Sequence, residues 1–260
     1  MDTPRAHVPR DHGTTVFSTK ADDYQTARPG YPAAWFDALA AEGLLARSTV
    51  VADIGAGTGL LTAGLLDHGA QVTAVEPNDE MRAACDALLG GRPGYRGVAG
   101  TAEHTSLAEA SVDLVTAAQA FHWFQIEEAR REFLRILKPG GQVALVWNDR
   151  LGDDPLHQSL VVIMEEAGGV ARQAMLSQEN KAGVPAFFGG PYRTLEHAHE
   201  QHLTREGLRG LLFSRSYMPP RDSPAGARAL AEIDRVFDLH AEGDTVRVRY
   251  RTVTMLGRPA

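Results

Sequence analysis

The sequence predicts an α/β protein with a doubly wound, mostly parallel sheet, and three observations carry that prediction. Short apolar runs alternate with amphipathic helical stretches four times within the first 147 residues. The first run, Val50–Ile54, is apolar on both faces, as expected of a parallel strand covered by helices on each side. The first run stops at a turn holding three glycines, Gly55, Gly57 and Gly59. Alternation of this kind implies parallel strands joined by right-handed crossovers.

The elements follow in order. Residues 1–16 mix Pro, His, Arg and Gly without periodicity and read as a mobile arm. From Pro32 the spacing turns helical, with Trp35, Phe36, Leu39 and Ala40 on one face until Gly43 interrupts. Val50–Ile54 is a buried strand. Leu61, Leu65 and Leu66 mark the helix after it, and Gly69 supplies its C-terminal stop. Gln71–Val75 is a second strand, and Asn78 or Asp79 caps the next helix, which closes at Gly90-Gly91. Asp113–Ala118 is another apolar segment. Ala129, Phe133, Ile136 and Leu137 give the inward face of a helix over 127–137. Lys138-Pro139-Gly140-Gly141 reads as a turn before a strand over 143–147. Residues 150–193 break the rhythm. Residues 194–203 are strand-like, two helices follow, and the last strand alternates Val246, Val248 and Tyr250 against Arg247, Arg249 and Arg251. That alternation predicts a strand near the sheet edge with one wet face.

Composition narrows the function classes. The 260 residues are 43% apolar and 23% charged, with a net charge of −7. A nucleic-acid binder depends on a basic face for most of its affinity, so the acidic balance argues against RNA or DNA as partner. One cysteine, Cys85, excludes an intrachain disulfide. The segment 1–15 is polar, and no eighteen apolar residues run together. The chain is expected to be soluble and cytoplasmic.

The stretch Asp53-Ile54-Gly55-Ala56-Gly57-Thr58-Gly59 carries the chemistry. Glycines between a buried strand and a helix let the backbone turn tightly and a ligand approach, in the crevice at the carboxyl ends of the strands. The amides at the helix start favour an anionic group. A dinucleotide fingerprint places its third glycine one residue later, where this chain has Leu60. Asp53, just ahead of the glycines, sits badly against a pyrophosphate and suits an ammonium. S-adenosylmethionine offers an ammonium, a carboxylate and a sulfonium centre. Glu76 ends the second strand, where a carboxylate can accept hydrogen bonds from both ribose hydroxyls of any adenosine cofactor.

Asp53–Gly59, Glu76-Pro77 and Lys138–Gly141 together resemble the class I S-adenosylmethionine-dependent methyltransferases, most closely the small-molecule branch with the methyltransferase type 11 domain. The resemblance covers roughly residues 48–147. It implies a Rossmann-like sheet of seven strands with an inserted substrate-covering segment. It also implies S-adenosylmethionine as cofactor, held by Asp53, Gly55, Ala56, Gly57, Gly59, Glu76 and Pro77. Met81 lies where the family packs an apolar side chain on adenine, or it fills the core. Thr101, Ala102 and Glu103 match the adenine loop, with Thr101 standing where the family commonly has Asp. Gln119, ending the fourth strand, borders the methyl group. The arm before Pro32 resembles a segment that folds over the cofactor in this branch. Tyr24 is expected to close the site, as a binding and catalytic position, and Arg28 to meet the methionine carboxylate.

On this reading the chain is a single methyltransferase domain. Residues 1–45 form an N-terminal arm and cap helix, and 46–149 the cofactor-binding half. Residues 150–193 are a substrate-side insertion, and 194–260 the C-terminal strands and helices. The expected reaction moves a methyl group to an O, N or C atom of a small-molecule acceptor. It works by alignment, with His122 as general base or, equally, as a packing residue beside Trp123. Phe187, Phe188, Tyr192 and His157 suggest an apolar acceptor pocket, and Ser214–Tyr217 a further wall. His197 and His199 share a strand face from which His202 points away, so no metal site is expected. A nicotinamide-dependent oxidoreductase on a related fold and a cofactor-binding protein without turnover remain the rival readings.

Overall fold

The computed structural model describes residues 28–178 and 181–260; the arm over 1–16 and Tyr24 lie outside the described residues. The elements are α1 (Ala33–Ala41), β1 (Val50–Ile54), α2 (Leu60–Asp67), β2 (Gln71–Val75), α3 (Asp79–Leu89), β3 (Tyr95–Val98) and β4 (Val112–Ala118). There follow α4 (Ile126–Ile136), β5 (Leu137–Arg150), α5 (Pro155–Gln178), α6 (Val184–Phe188), β6 (Tyr192–Leu203), α7 (Arg205–Phe213), α8 (Pro224–His240) and β7 (Val246–Gly257). Seven strands form one sheet in the order β3-β2-β1-β4-β5-β7-β6. β1 to β5 pair in parallel, and β7 runs antiparallel between β5 and β6. The fold is the doubly wound, mostly parallel α/β sheet expected.

The local reasons are legible in the chain. β1 feeds both layers: Val51 joins the core under α1 and α2, while Ala52 and Ile54 join the core under α4 and α6. Asn78 caps α3, its side chain accepting from the Met81 N–H at 2.9 Å. In α1, Trp35, Phe36 and Leu39 are buried. The Trp35 indole donates to Thr254 Oγ1 at 2.7 Å, pinning α1 across β7. A third apolar core joins α5, α7 and α8 to the first half of β7.

Three local readings need correction. The Lys138–Gly141 turn is absorbed into β5 as an irregularity. The register passes from Val112↔Leu137 to Leu114↔Gln142, with Gly140 at φ +83°. β7 lies near the sheet edge as expected, with β6 outside it, but it is not one-sided along its whole length. Its alternation reported burial of one face over 246–251, whereas Thr252, Val253 and Thr254 are all buried. Phe187 and Phe188 do not line a pocket. Both are fully buried, packed edge-on against Phe121 and Phe133 or against each other.

Candidate active site

The sheet reverses strand order between β1 and β4, the point where open α/β sheets bind ligands. The glycine loop lies there. Gly55, Gly57 and Gly59 adopt φ of +68°, +58° and +87°. A Cβ on Gly55 would lie 2.6 Å from Ala120 Cβ, so the loop can pass the end of β4 only without a side chain. A Cβ on Gly59 would lie 2.7 Å from both Cys85 Sγ and Leu89 Cδ1. The third glycine sits one residue early because α2 must begin directly against α3.

Asp53 is 1% exposed and accepts hydrogen bonds from Thr62 Oγ1 at 2.6 Å and Thr116 Oγ1 at 2.8 Å. Burial raises its pKa to about 6, outweighing both hydrogen bonds, and the Glu76 charge pushes the same way. It lines a cleft with Tyr31, Gly55, Ala56, Leu60, Leu61 and Ala118. Leu60 and Leu61 open α2, so the unsatisfied amide end of that helix adjoins the cleft.

Glu76 stands at the end of β2, nearly buried. Its Oε1 accepts from the Asn78 amide and its Oε2 from the Gly57 amide, each at 2.9 Å. Burial raises its pKa against those two bonds. Pro77 is exposed and Met81 is buried at the start of α3. In the loop after β3, Thr101 is exposed and its hydroxyl accepts from the His104 N–H at 3.2 Å, while Ala102 is buried. Glu103 accepts from the Gln125 amide at 2.8 Å, which ties this loop to the start of α4. Glu132 adds a second tie, accepting from the Thr105 amide and hydroxyl at 3.0 and 2.5 Å. Burial alone would raise the Glu132 carboxyl, but hydrogen bonds from Arg135 and Thr105 hold it at about 2.

Gln119 follows β4 in the left-handed region, at φ +56°. Such strain in a side chain with a Cβ persists where the surroundings demand it, commonly at functional sites. Gln119 borders a second cleft, shared with Arg28, Asn148, Arg150, Arg215 and Tyr250. Tyr31 and Leu60 line both clefts, so the two adjoin. Arg28 donates from Nε to Ser214 Oγ at 3.0 Å, bringing the start of the described chain against the end of α7. His122 lies on a single 3₁₀ turn (Phe121–Trp123), half-buried, its ring 4.9 Å from that of Trp123. It lines neither of these clefts.

The structure thus gathers Asp53, the glycine loop, Glu76, Gln119 and Arg28 around one end of the sheet. Sequence reasoning passed over Asn148, Arg150 and Tyr250. Asn148 and Arg150 close β5, at the carboxyl end of a parallel strand, and that position was the available signal. Tyr250 comes from the antiparallel β7 opposite Arg150, which local pattern does not reveal. Among the described residues no group of three or more His, Cys, Asp or Glu is placed to hold a metal ion. No helix of the described residues is long and apolar enough to cross a membrane.

The donor set fits a sulfonium nucleoside: an acid at the end of β2 for the ribose, and a glycine cradle with a buried acid and a helix amide end for an amino acid. Comparison with known proteins agrees. The methyltransferase domain family matches residues 52–145. An uncharacterized methyltransferase-like protein of Schizosaccharomyces pombe is 32% identical over 244 residues, 92% of this chain and 93% of the relative. An uncharacterized methyltransferase of Mycobacterium tuberculosis is 36% identical over 230 residues, 86% and 85% of the two chains. A solved Anaeromyxobacter dehalogenans protein, described as a type II methyltransferase, superposes with a TM-score of 0.64. It is 25% identical, with 89% of this chain and 97% of that one covered. A Haemonchus contortus N-methyltransferase in complex with phosphomonomethylethanolamine and S-adenosylhomocysteine shares the fold at 14% identity. Its TM-score is 0.57, with 96% of this chain and 59% of that one covered. The nicotinamide alternative falls with these matches: the chain belongs to the class I S-adenosylmethionine-dependent methyltransferases, with S-adenosylmethionine as its cofactor.

Proposed function

We propose that the chain methylates an O, N or C atom of a small-molecule metabolite. The supporting observation is the pair of adjoining clefts at the switch point, one against the glycine loop and one beside it, with Tyr31 and Leu60 between them. The second cleft opens beside the glycine loop, where Gln119 and Asn148 offer polar groups that could orient a small ligand. The net charge of −7 argues against a nucleic-acid acceptor, and the single cysteine fits a cytosolic location.

When bound, the cofactor supplies an electrophilic methyl group on a sulfonium sulfur. Glu76 holds the ribose through lone pairs left over from its two amide bonds, since a carboxylate has about four acceptor sites. Asp53 and the amide end of α2 receive the amino acid end. The Gly100–Glu103 loop receives the adenine beside Met81, with Pro77 behind Glu76. Arg28 reaches the methionine carboxylate, and Tyr24 covers the site. Gln119 borders the acceptor and orients it toward the methyl group. Alignment of this kind supplies up to roughly 7–11 kcal/mol of a barrier. His122, three residues after Gln119, is the candidate base. Its position away from both clefts favours alignment as the larger contribution. The cofactor-binding half is 46–149, and 150–193 belongs to the acceptor side.

Calorimetric titration with S-adenosylmethionine and S-adenosylhomocysteine tests the reading: binding is expected, and its absence for both refutes it. With an acceptor in hand, His122→Ala is expected to lower turnover and remove its dependence on a group titrating near neutrality. Unchanged turnover retires the base.

A further inference from the structure

The second cleft is not the apolar pocket that aromatic residues of the 150–193 segment suggested. Three guanidinium groups, from Arg28, Arg150 and Arg215, line it, and among the described residues its lining contains no Asp or Glu. These residues come from the start of the described chain, the end of β5 and the residues after α7, and are brought together only by folding. In a chain of net charge −7 such a concentration of positive charge is local and specific.

Arg150 is the informative member. Its Nη1 donates to Met164 Sδ at 3.7 Å, a thioether and hence a weak acceptor. Its Nε and Nη2 are shielded from solvent and meet no acceptor among the described residues. A guanidinium has five donors in a planar fork shaped for carboxylates and phosphates. A buried charge is normally paired, because leaving one unpaired is strongly unfavourable. Burial pushes Arg150 down to about 10, and the Arg215 and Arg28 charges push the same way. The field extends to His157 on α5, whose pKa falls to about 4 through burial and then through Arg150 and Arg215. Asn148 and Gln119 complete a polar floor.

We propose that Arg150 and Arg215 form an oxyanion clamp for the methyl acceptor, whose substrate class is therefore a small molecule bearing a carboxylate or phosphate group. This rests on the methyl-transfer reading above, in which Arg28 takes the carboxylate of the cofactor. The clamp anchors one end of the acceptor beyond Gln119. Its reacting atom is thereby held toward the cleft that adjoins the glycine loop.

The test titrates the full chain, saturated with S-adenosylhomocysteine and at constant ionic strength, with benzoate, succinate and inorganic phosphate, and with benzamide and succinamide as neutral matches. At least one anion is expected to bind and its amide not to. Binding of carboxylates alone or of phosphate alone identifies the group recognised, and either supports the clamp. Arg150→Met and Arg215→Met are each expected to weaken the anion at least tenfold while S-adenosylhomocysteine affinity stays within twofold. Removing an unpaired buried charge should leave the melting temperature of Arg150→Met unchanged or raised. Equal binding of anions and amides, or anion binding indifferent to both substitutions, overturns the proposal. So does a tenfold loss of S-adenosylhomocysteine affinity in these variants, since the arginines then serve the cofactor. If S-adenosylhomocysteine fails to bind the unsubstituted chain, the methyl-transfer reading fails by itself. The anion titration without it still decides the clamp.

Discussion

Replacing Gly59 by alanine tests the geometry of the cofactor loop most directly, because two separable penalties meet there. The residue sits at φ +87°, a conformation that costs a side chain about 1–2 kcal/mol. Its added Cβ would also come within 2.7 Å of Cys85 Sγ and Leu89 Cδ1, both buried, and overpacking a core costs about 1–3 kcal/mol. The sum, about 2–5 kcal/mol, is a large part of the roughly 5–15 kcal/mol that holds a domain folded. Gly43 provides the control. Its φ is +75°, and nothing lies within 4 Å of a Cβ built on it, so Gly43→Ala carries only the conformational penalty of about 1–2 kcal/mol. Urea unfolding of the two variants, followed by circular dichroism at one pH, reads both costs. The packing part should shrink when Leu89→Ala is added to Gly59→Ala, a coupling that a double-mutant cycle isolates. If Gly59→Ala costs no more than Gly43→Ala, α2 does not begin against α3 as described, and the account of the early third glycine is wrong.

Three further outcomes are expected. Glu76→Ala weakens S-adenosylmethionine binding at least tenfold, about 1.4 kcal/mol by calorimetry; unchanged affinity would remove Glu76 from the site. The Asp53 carboxyl titrates at about 6 in the folded chain against an ordinary 3.8, so between those values the folded chain keeps a proton that the unfolded chain releases. Stability from this group is full below about pH 4 and falls as pH rises through 6, by up to about 3 kcal/mol. Asp53→Asn should flatten that segment of the pH–stability curve measured by urea unfolding, and parallel curves would contradict it. Gln119→Ala keeps the left-handed backbone at φ +56° and loses the side chain, whereas Gln119→Gly relieves the backbone as well. The glycine variant should be more stable than the alanine variant by about 1 kcal/mol in the same assay, with both impaired in turnover. An alanine variant as stable as the glycine one would show that the strain is absent.

The amino-acid sequence by itself determined the layered architecture and the glycine turn at the switch point. Val50–Ile54 is apolar on both faces apart from Asp53, and its alternation with helical stretches is what parallel strands under helices produce. Three glycines with Asp53 before them and Glu76 beyond are a local arrangement, readable because every member lies within 24 residues on one strand–helix–strand unit. The tertiary structure alone decided what depends on distant segments meeting. The alternation of β7 reports which face is buried but not which strands supply its hydrogen bonds, so its interior antiparallel position was hidden. Phe187-Phe188 reads as a pocket wall, and only folding brings Phe121 and Phe133 against Phe187 to make it core. Glu103 reads as a loop acid in one dimension; only the fold brings the Gln125 amide onto it. Arg28 and the Ser214–Tyr217 segment could be singled out in one dimension, but Arg150 could not; long-range folding sets Arg28, Arg150 and Arg215 around a single cleft.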